Sequence, residues 1–180
     1  MFKFAYLINM PGYTPETYGT EYTNSESFSI VAGVDGVEGA KECARKLAGE
    51  GFDLINLCSE FDEQAISDIG ASAENAIRIQ NVSYYPEELS KLESSSELMN
   101  YGVIIQMAGV DESCRFELKR PDCNTTAYFV KDMDQAKDAA KAMVGEGIHF
   151  IELCGWFKDE QTREIIDAVG GKIPVGSCGI

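Results

Sequence analysis

The chain has 180 residues, 44% of them hydrophobic, enough to bury one large core or two small ones. Its 30 acidic residues against 15 basic ones leave a net charge of −15. That balance argues against nucleic acid and against an anionic membrane surface as partners, because both select Lys and Arg.

The chain opens on MFKFAYLINMPGY, an apolar run ended by Pro11. It is too short for a secretory core or a membrane span, so the expected setting is the cytoplasm. The six cysteines (Cys43, Cys58, Cys114, Cys123, Cys154 and Cys178) are then expected to be reduced thiols rather than a disulfide scaffold. Phe4–Met10 reads as a first strand, and a polar loop over Pro11–Glu26 leads to a second strand at Ser27–Val34. A helix follows. Asp35 and Glu38 have N-cap and N3 spacing, Val37, Ala40, Ala44 and Leu47 share one face, and Gly49 and Gly51 supply its stop. A short apolar strand, FDLINLC, precedes a second helix from Asp62 with Ile66 and Ile69 inward. Ala76–Tyr85 reads as a closing strand, and Tyr85–Asn100 as a short helix from Pro86 with a serine-rich linker.

The same order then recurs. A shift of 96 positions lays Ala40–Phe61 on Ala136–Phe157 with 10 identities in 22 positions, so GEGFDLINLCSEF returns as GEGIHFIELCGWF. Phe4–Met10 resembles Gly102–Ala108, and Ser27–Val34 resembles Thr126–Met133. Asp132 and Gln135 repeat the capping spacing, and Met133, Ala136, Ala140 and Met143 repeat the apolar face. Ile165, Ile166 and Val169 face inward on a helix from Asp159, and Lys172–Gly179 closes the copy. The chain is therefore an internal duplication.

The expected fold is α/β: two tandem ββαβαβ units, each a roughly four-stranded mixed sheet with two helices on one face. The expected boundaries are 1–85, a linker with a short helix over 86–100, and 101–180. Helices on one face leave the other sheet face bare, so the units are expected to cover each other as a pseudo-twofold dimer within one chain. One continuous sheet or closed barrel is the alternative.

Alternation along the repeated strand puts Phe150, Glu152 and Cys154 on one face, where the first copy has Leu54, Asn56 and Cys58. A glutamate within an apolar strand must be paired, protonated or turned into a cavity. Glu152 is thus a candidate general base or an interface residue facing Asn56. Cys58 and Cys154 end their strands, at the edge where parallel α/β sheets gather ligands. Cys154 is a candidate nucleophile, whereas Cys58 fits a small buried hydrophobe. Gly155 would leave room for a ligand beside Trp156, while the first copy has Ser59 and Glu60 there. Cys178 arrives at the same edge if its strand lies beside Phe150–Cys154.

No CxxC or histidine-rich spacing calls for a metal, and no pattern calls for a cofactor. His149 sits at the far end of its strand and reads as a surface residue. Gly33, Gly36 and Gly39 hint at a phosphate cradle, but Asp35 and Glu38 would repel the anion. Cys114 and Cys123 could face each other across a hairpin, and Tyr13, Tyr18 and Tyr22 could rim a site or pack.

IELCGWF (Ile151–Phe157) followed by AVGGKIPVG (Ala168–Gly176) resembles a small bacterial and archaeal family of unknown function. Its members are typically single units of this half-length with an IELCGGF … GGKVPVG signature. Copy two departs from it at Trp156, and copy one departs at nearly every motif position except Leu57, Cys58 and Phe61. The resemblance implies a compact α/β unit that pairs with a second one. It implies no reaction, and it makes copy two the ancestral form.

Three readings stand side by side. The first is a small-molecule site at the carboxyl edge of the second unit, built from Glu152, Cys154 and Trp156 and open to catalysis by Cys154 as nucleophile or Glu152 as base, with Gly155, Cys178, Asn56 and Cys58 as further ligand-binding candidates. The second is a non-enzymatic fused-dimer module for protein interaction. The third is a redox pair of Cys154 and Cys178, which requires their sulfurs within disulfide reach.

Overall fold

A computed structural model describes all residues from Met1 to Ile180. The chain divides into two compact units, Met1–Asn81 and Val82–Ile180. No helix is long and apolar enough to cross a membrane.

The first unit runs β1 (Phe2–Asn9), β2 (Gly19–Thr23), β3 (Ser27–Val34), α1 (Gly36–Gly49), β4 (Leu54–Leu57), α2 (Glu63–Ser72) and β5 (Arg78–Asn81). Its sheet has the order β2-β3-β1-β4-β5, parallel except for β2. The second unit runs α3 (Pro86–Ser94), β6 (Asn100–Gln106), β7 (Cys114–Lys119), β8 (Asn124–Val130), α4 (Met133–Gly145), β9 (Phe150–Gly155), α5 (Asp159–Ala168) and β10 (Val175–Ser177). Its order, β10-β9-β6-β8-β7, repeats that of the first, with β7 antiparallel.

The architecture is the duplicated α/β unit that the sequence implies. Two separate sheets replace the single-sheet alternative, and each has five strands rather than four. The extra strand of each unit, β2 or β7, lies in the stretch read as a polar loop. GTEYT and CRFELK alternate exposed and half-buried residues, so neither presents the apolar run that marks an inner strand. The hairpin of β7 and β8 also separates Cys114 from Cys123. Cys114 stands opposite Phe129, while Cys123 lies at the turn, its carbonyl accepting from the Arg120 amide.

Strand register corrects two sequence pairings. Leu54 and Phe150 are repeat mates, and they stand beside Phe4 and Tyr101 respectively. Phe4 therefore matches Tyr101, not Gly102. Ser29 stands beside Phe4 and Thr125 beside Tyr101, which sets the shift between β3 and β8 at 96 rather than 99. Asp132 then falls outside β8, free to cap α4, where its side chain accepts from the Gln135 amide at 3.0 Å. Asp35 makes no such bond. Its Oδ1 accepts instead from the Gly12 amide, tying the loop after β1 to the start of α1.

In the second unit Ile104, Val130, Ile151, Leu153 and Val175 form the sheet side of a core completed by Ala136, Ala140, Met143 and Ile165. Gly102 on β6 makes room for α4: a Cβ there would come within 2.8 Å of the Met143 sulfur. Tyr101, Val103 and Ile105, on the opposite face of β6, are equally buried. A parallel strand buried on both sides reads as a continuous apolar run.

The segment Val82–Tyr85 follows β5 in sequence but belongs to the second unit. Ser83 and Ser177 exchange both backbone hydrogen bonds, at 2.9 and 2.8 Å, across an antiparallel bridge. The helix α3, with Pro86 at its start, follows it there, and Glu88 is fully buried with its Oε2 accepting from the Val175 amide at 3.0 Å. The boundary thus falls between Asn81 and Val82 rather than after Tyr85, and the expected linker helix is a structural part of unit two.

Candidate functional site

The carboxyl edge of the second sheet is where the sequence placed the chemistry. β10 runs parallel to β9, with Ser177 beside Leu153, so the next residues, Cys178 and Cys154, are neighbours. The Cys178 amide donates to the Leu153 carbonyl at 2.9 Å, and the two sulfurs lie 3.8 Å apart. Cys154 is fully buried, whereas Cys178 is partly open. All six cysteines are thiols.

Glu152, two residues back on the same face, is 1% exposed. Its Oε2 accepts from the Tyr101 hydroxyl at 2.6 Å and its Oε1 from the Tyr84 hydroxyl at 3.1 Å. Charge-assisted bonds to both oxygens are what a buried carboxylate requires. Tyr101 comes from β6, its ring stacked on Phe150 at 4.7 Å. Burial, then the Glu152 charge and the nearby Cys154, hold the Tyr101 hydroxyl well above its ordinary pKa. Tyr84 reaches the carboxylate because Gly176, beside Glu152 in the register, has no side chain. A Cβ there would meet the Tyr84 ring at 2.5 Å.

Neither tyrosine was singled out in the sequence. Tyr101 lies 51 residues from Glu152, and Tyr84 sits in the stretch assigned to the other copy. The sequence signal that could have found them is a matched set of three substitutions. Register pairs Phe4 with Tyr101, Asn56 with Glu152, and Gln80 with Gly176. In the first unit Asn56 is fully buried and donates to Gln80 Oε1 at 3.5 Å, so an amide pair stands where copy two has a carboxylate and two phenols.

The other candidates fall as follows. Gly155 has φ +80, and a Cβ there would come within 2.3 Å of the Gln106 carbonyl oxygen. The space expected for a ligand is therefore occupied by the backbone of β6. Trp156 donates its amide to that same carbonyl and is 43% exposed. Gly179 packs on the Phe157 carbonyl, keeping the Cys178 turn beside the Trp156 turn. Cys58 is buried, and its sulfur accepts from the Asn9 amide at 3.3 Å, as expected for a packed thiol. His149 Nδ1 accepts from the Asn100 amide at the opposite end of β9 from the thiols. The glycine triplet is no anion cradle, because a Cβ at Gly33 would press on Met10 and Tyr18 while Asp35 takes the Gly12 amide. No group of three or more His, Cys, Asp or Glu residues could hold a metal.

The first unit has a concavity of its own, of about 1070 Å³, between α1 and the β2–β3 edge. Phe28, Ile30, Val34 and Leu47 form its apolar part, and Tyr13, packed on Tyr18 at 5.6 Å between ring centres, stands at its border. Cys43 lines it too, its thiol pushed up to about 11 chiefly by burial.

Among solved structures, an ABC transporter solute-binding protein from Conexibacter woesei is 12% identical over 97% of this chain and 69% of its own, with a TM-score of 0.31. A periplasmic solute-binding protein from Actinobacillus succinogenes, solved with D-allose bound, is 14% identical over 97% of this chain and 77% of its own, with a TM-score of 0.34. Likenesses of that size carry no argument about function. No curated protein matches the chain. The model of the DUF6506 family, a family of unknown function, matches twice, over residues 2–97 and 99–180. Two matches end to end are what the internal repeat requires, and the chain belongs to that family as a tandem duplication.

Proposed function

We propose that the carboxyl edge of the second unit is a dithiol redox site for a small oxidant, with Cys178 as the entry thiol and Cys154 as its buried partner. The observation that carries the reading is the 3.8 Å separation of one partly open and one buried sulfur on adjacent parallel strands. Neighbouring strands lie about 4.8 Å apart, within the Cα range of a disulfide, so side-chain rotation can close the S–S bond.

With hydrogen peroxide, the Cys178 thiolate attacks one oxygen and the O–O bond breaks. A sulfenic acid forms at Cys178, and one water leaves. Cys154 then attacks that sulfur and expels the second water. Two thiols and one peroxide become one disulfide and two waters. A small disulfide would instead give a mixed disulfide and then two free thiols. Access supports Cys178 over Cys154 as the first thiol, since reactivity requires exposure as well as thiolate. Glu152 serves as the anion that fixes Tyr84 and Tyr101 beneath the pair rather than as a base, and the exposed Trp156 ring offers an apolar rim for the oxidant.

The test is oxidation of the folded chain with hydrogen peroxide, followed by peptide mapping. The expected product is a Cys154–Cys178 crosslink with loss of two hydrogens, absent from Cys178→Ser. Overoxidation of Cys178 to a sulfinic acid with Cys154 left as a thiol would sink the reading.

A further inference from the structure

The second unit holds a guanidinium where the first unit has a gap. Arg115 on β7 stands opposite Tyr128, lies over its ring at 6.0 Å, and pairs with Glu146 at 2.9 Å and with Glu117 at 2.5 Å. These contacts, led by the hydrogen bond to Glu146, raise the Arg115 pKa further still. Glu146 caps the end of α4.

In the first unit the same register gives Gly19 opposite Ala32, in place of Arg115 opposite Tyr128, and Glu21 in place of Glu117. Glu50 caps α1 as Glu146 caps α4. Both carboxylates that bracket the guanidinium are therefore kept, and the guanidinium is gone. Gly19 cannot be refilled by a side chain, since a Cβ there would come within 2.3 Å of the Pro15 carbonyl oxygen. Gly19, Glu21 and Glu50 all line the cavity between α1 and β2.

We infer that this cavity binds a small organic cation, a guanidinium or primary ammonium head on an apolar body. Glu21 and Glu50 take the head as their counterparts take Arg115, and the body lies on Phe28 and Ile30. The volume of about 1070 Å³ exceeds what a bare ion fills and suits a drug-sized molecule. The remaining charges of the lining are Glu16, Asp35, Glu38, Glu42, Arg45 and Lys46, a net negative set. Lys46 is not the missing cation. Its side chain is 62% exposed and turned toward Glu16 at 3.7 Å. This site is independent of the dithiol edge.

The probe pair is phenylguanidine and phenylurea, alike in shape and different in charge, titrated into the full chain while the Ile30 methyl resonances are followed. Saturable shifts with phenylguanidine alone are expected. Affinity should fall about tenfold in E21Q/E50Q, and further as salt rises, because the charges are near the surface. Both residues are exposed, so the double variant keeps its fold, which circular dichroism checks. The E117Q/E146Q variant should bind as the parent does. Equal shifts with both probes, no saturable shift with either, or an affinity untouched by E21Q/E50Q overturns the inference.

Discussion

At Glu152 the second unit buries a carboxyl group in a place water hardly reaches, and the Tyr84 and Tyr101 hydroxyls both donate to it. Removing one donor takes a hydrogen bond from a buried carboxyl group, which costs about 1–3 kcal/mol. Tyr101→Phe should therefore lower stability by that order at neutral pH. The same tyrosine gives a signature in alkali. Its folded-state pKa lies well above the ordinary value near 10, so the folded state keeps a proton that the unfolded state gives up. That contribution is whole below pH ~10 and shrinks as pH rises past it. Urea midpoints taken between pH ~9 and ~11 should fall less steeply in Tyr101→Phe than in the parent. Equal slopes would mean that Tyr101 ionises as freely folded as unfolded. Glu152 was legible in the sequence because a carboxylate in an apolar strand is an anomaly. Its partners were not, since a tyrosine among apolar residues is ordinary until a register places its hydroxyl.

Among the elements, those with a one-sided pattern over several turns could be read from the chain, and those defined by a neighbour could not. The alanine stripe of α4 and the run FIELCG announced themselves. The edge strands β2 and β7 did not, because half of each faces solvent and reads as loop. α3 was visible from Pro86, but not its destination. That is set by the Ser83 bridge before it and by one buried side chain, Glu88, which accepts the Val175 amide while its other oxygen meets Lys91 at 2.5 Å. The three-residue strand β10 is held otherwise by β9 and by the Ser83 bridge at Ser177. Glu88→Ala should open it locally: amide exchange at Val175 should speed by tenfold or more, while exchange in β6 stays near the parent rate. Equal protection of Val175 in both proteins would show that α3 merely rests on β10.

The molecule as a whole consists of two copies that have diverged at corresponding places. The repeat made the duplication evident, yet the unit boundary eluded it, because Val82–Tyr85 continues a strand pattern past the point where the chain changes partners. The family match to 2–97 likewise runs on through α3, which packs with the second unit. A fragment starting at Val82 should fold, and one starting at Pro86 should not, since it lacks the Ser83 bridge and the Tyr84 hydroxyl. Heteronuclear spectra of the two fragments would decide it, and two equally dispersed spectra would refute the assigned boundary.

The exchange of Arg115 for Gly19 has a thermodynamic consequence. One copy carries its occupant by a covalent bond and is always saturated, like a reference cell sealed at manufacture. The other is filled only from solution, so its stability rises with the logarithm of ligand concentration, by about 2.7 kcal/mol at a hundredfold excess over Kd. In such a chain the stability of one copy is independent of the ligand, and that of the other follows it.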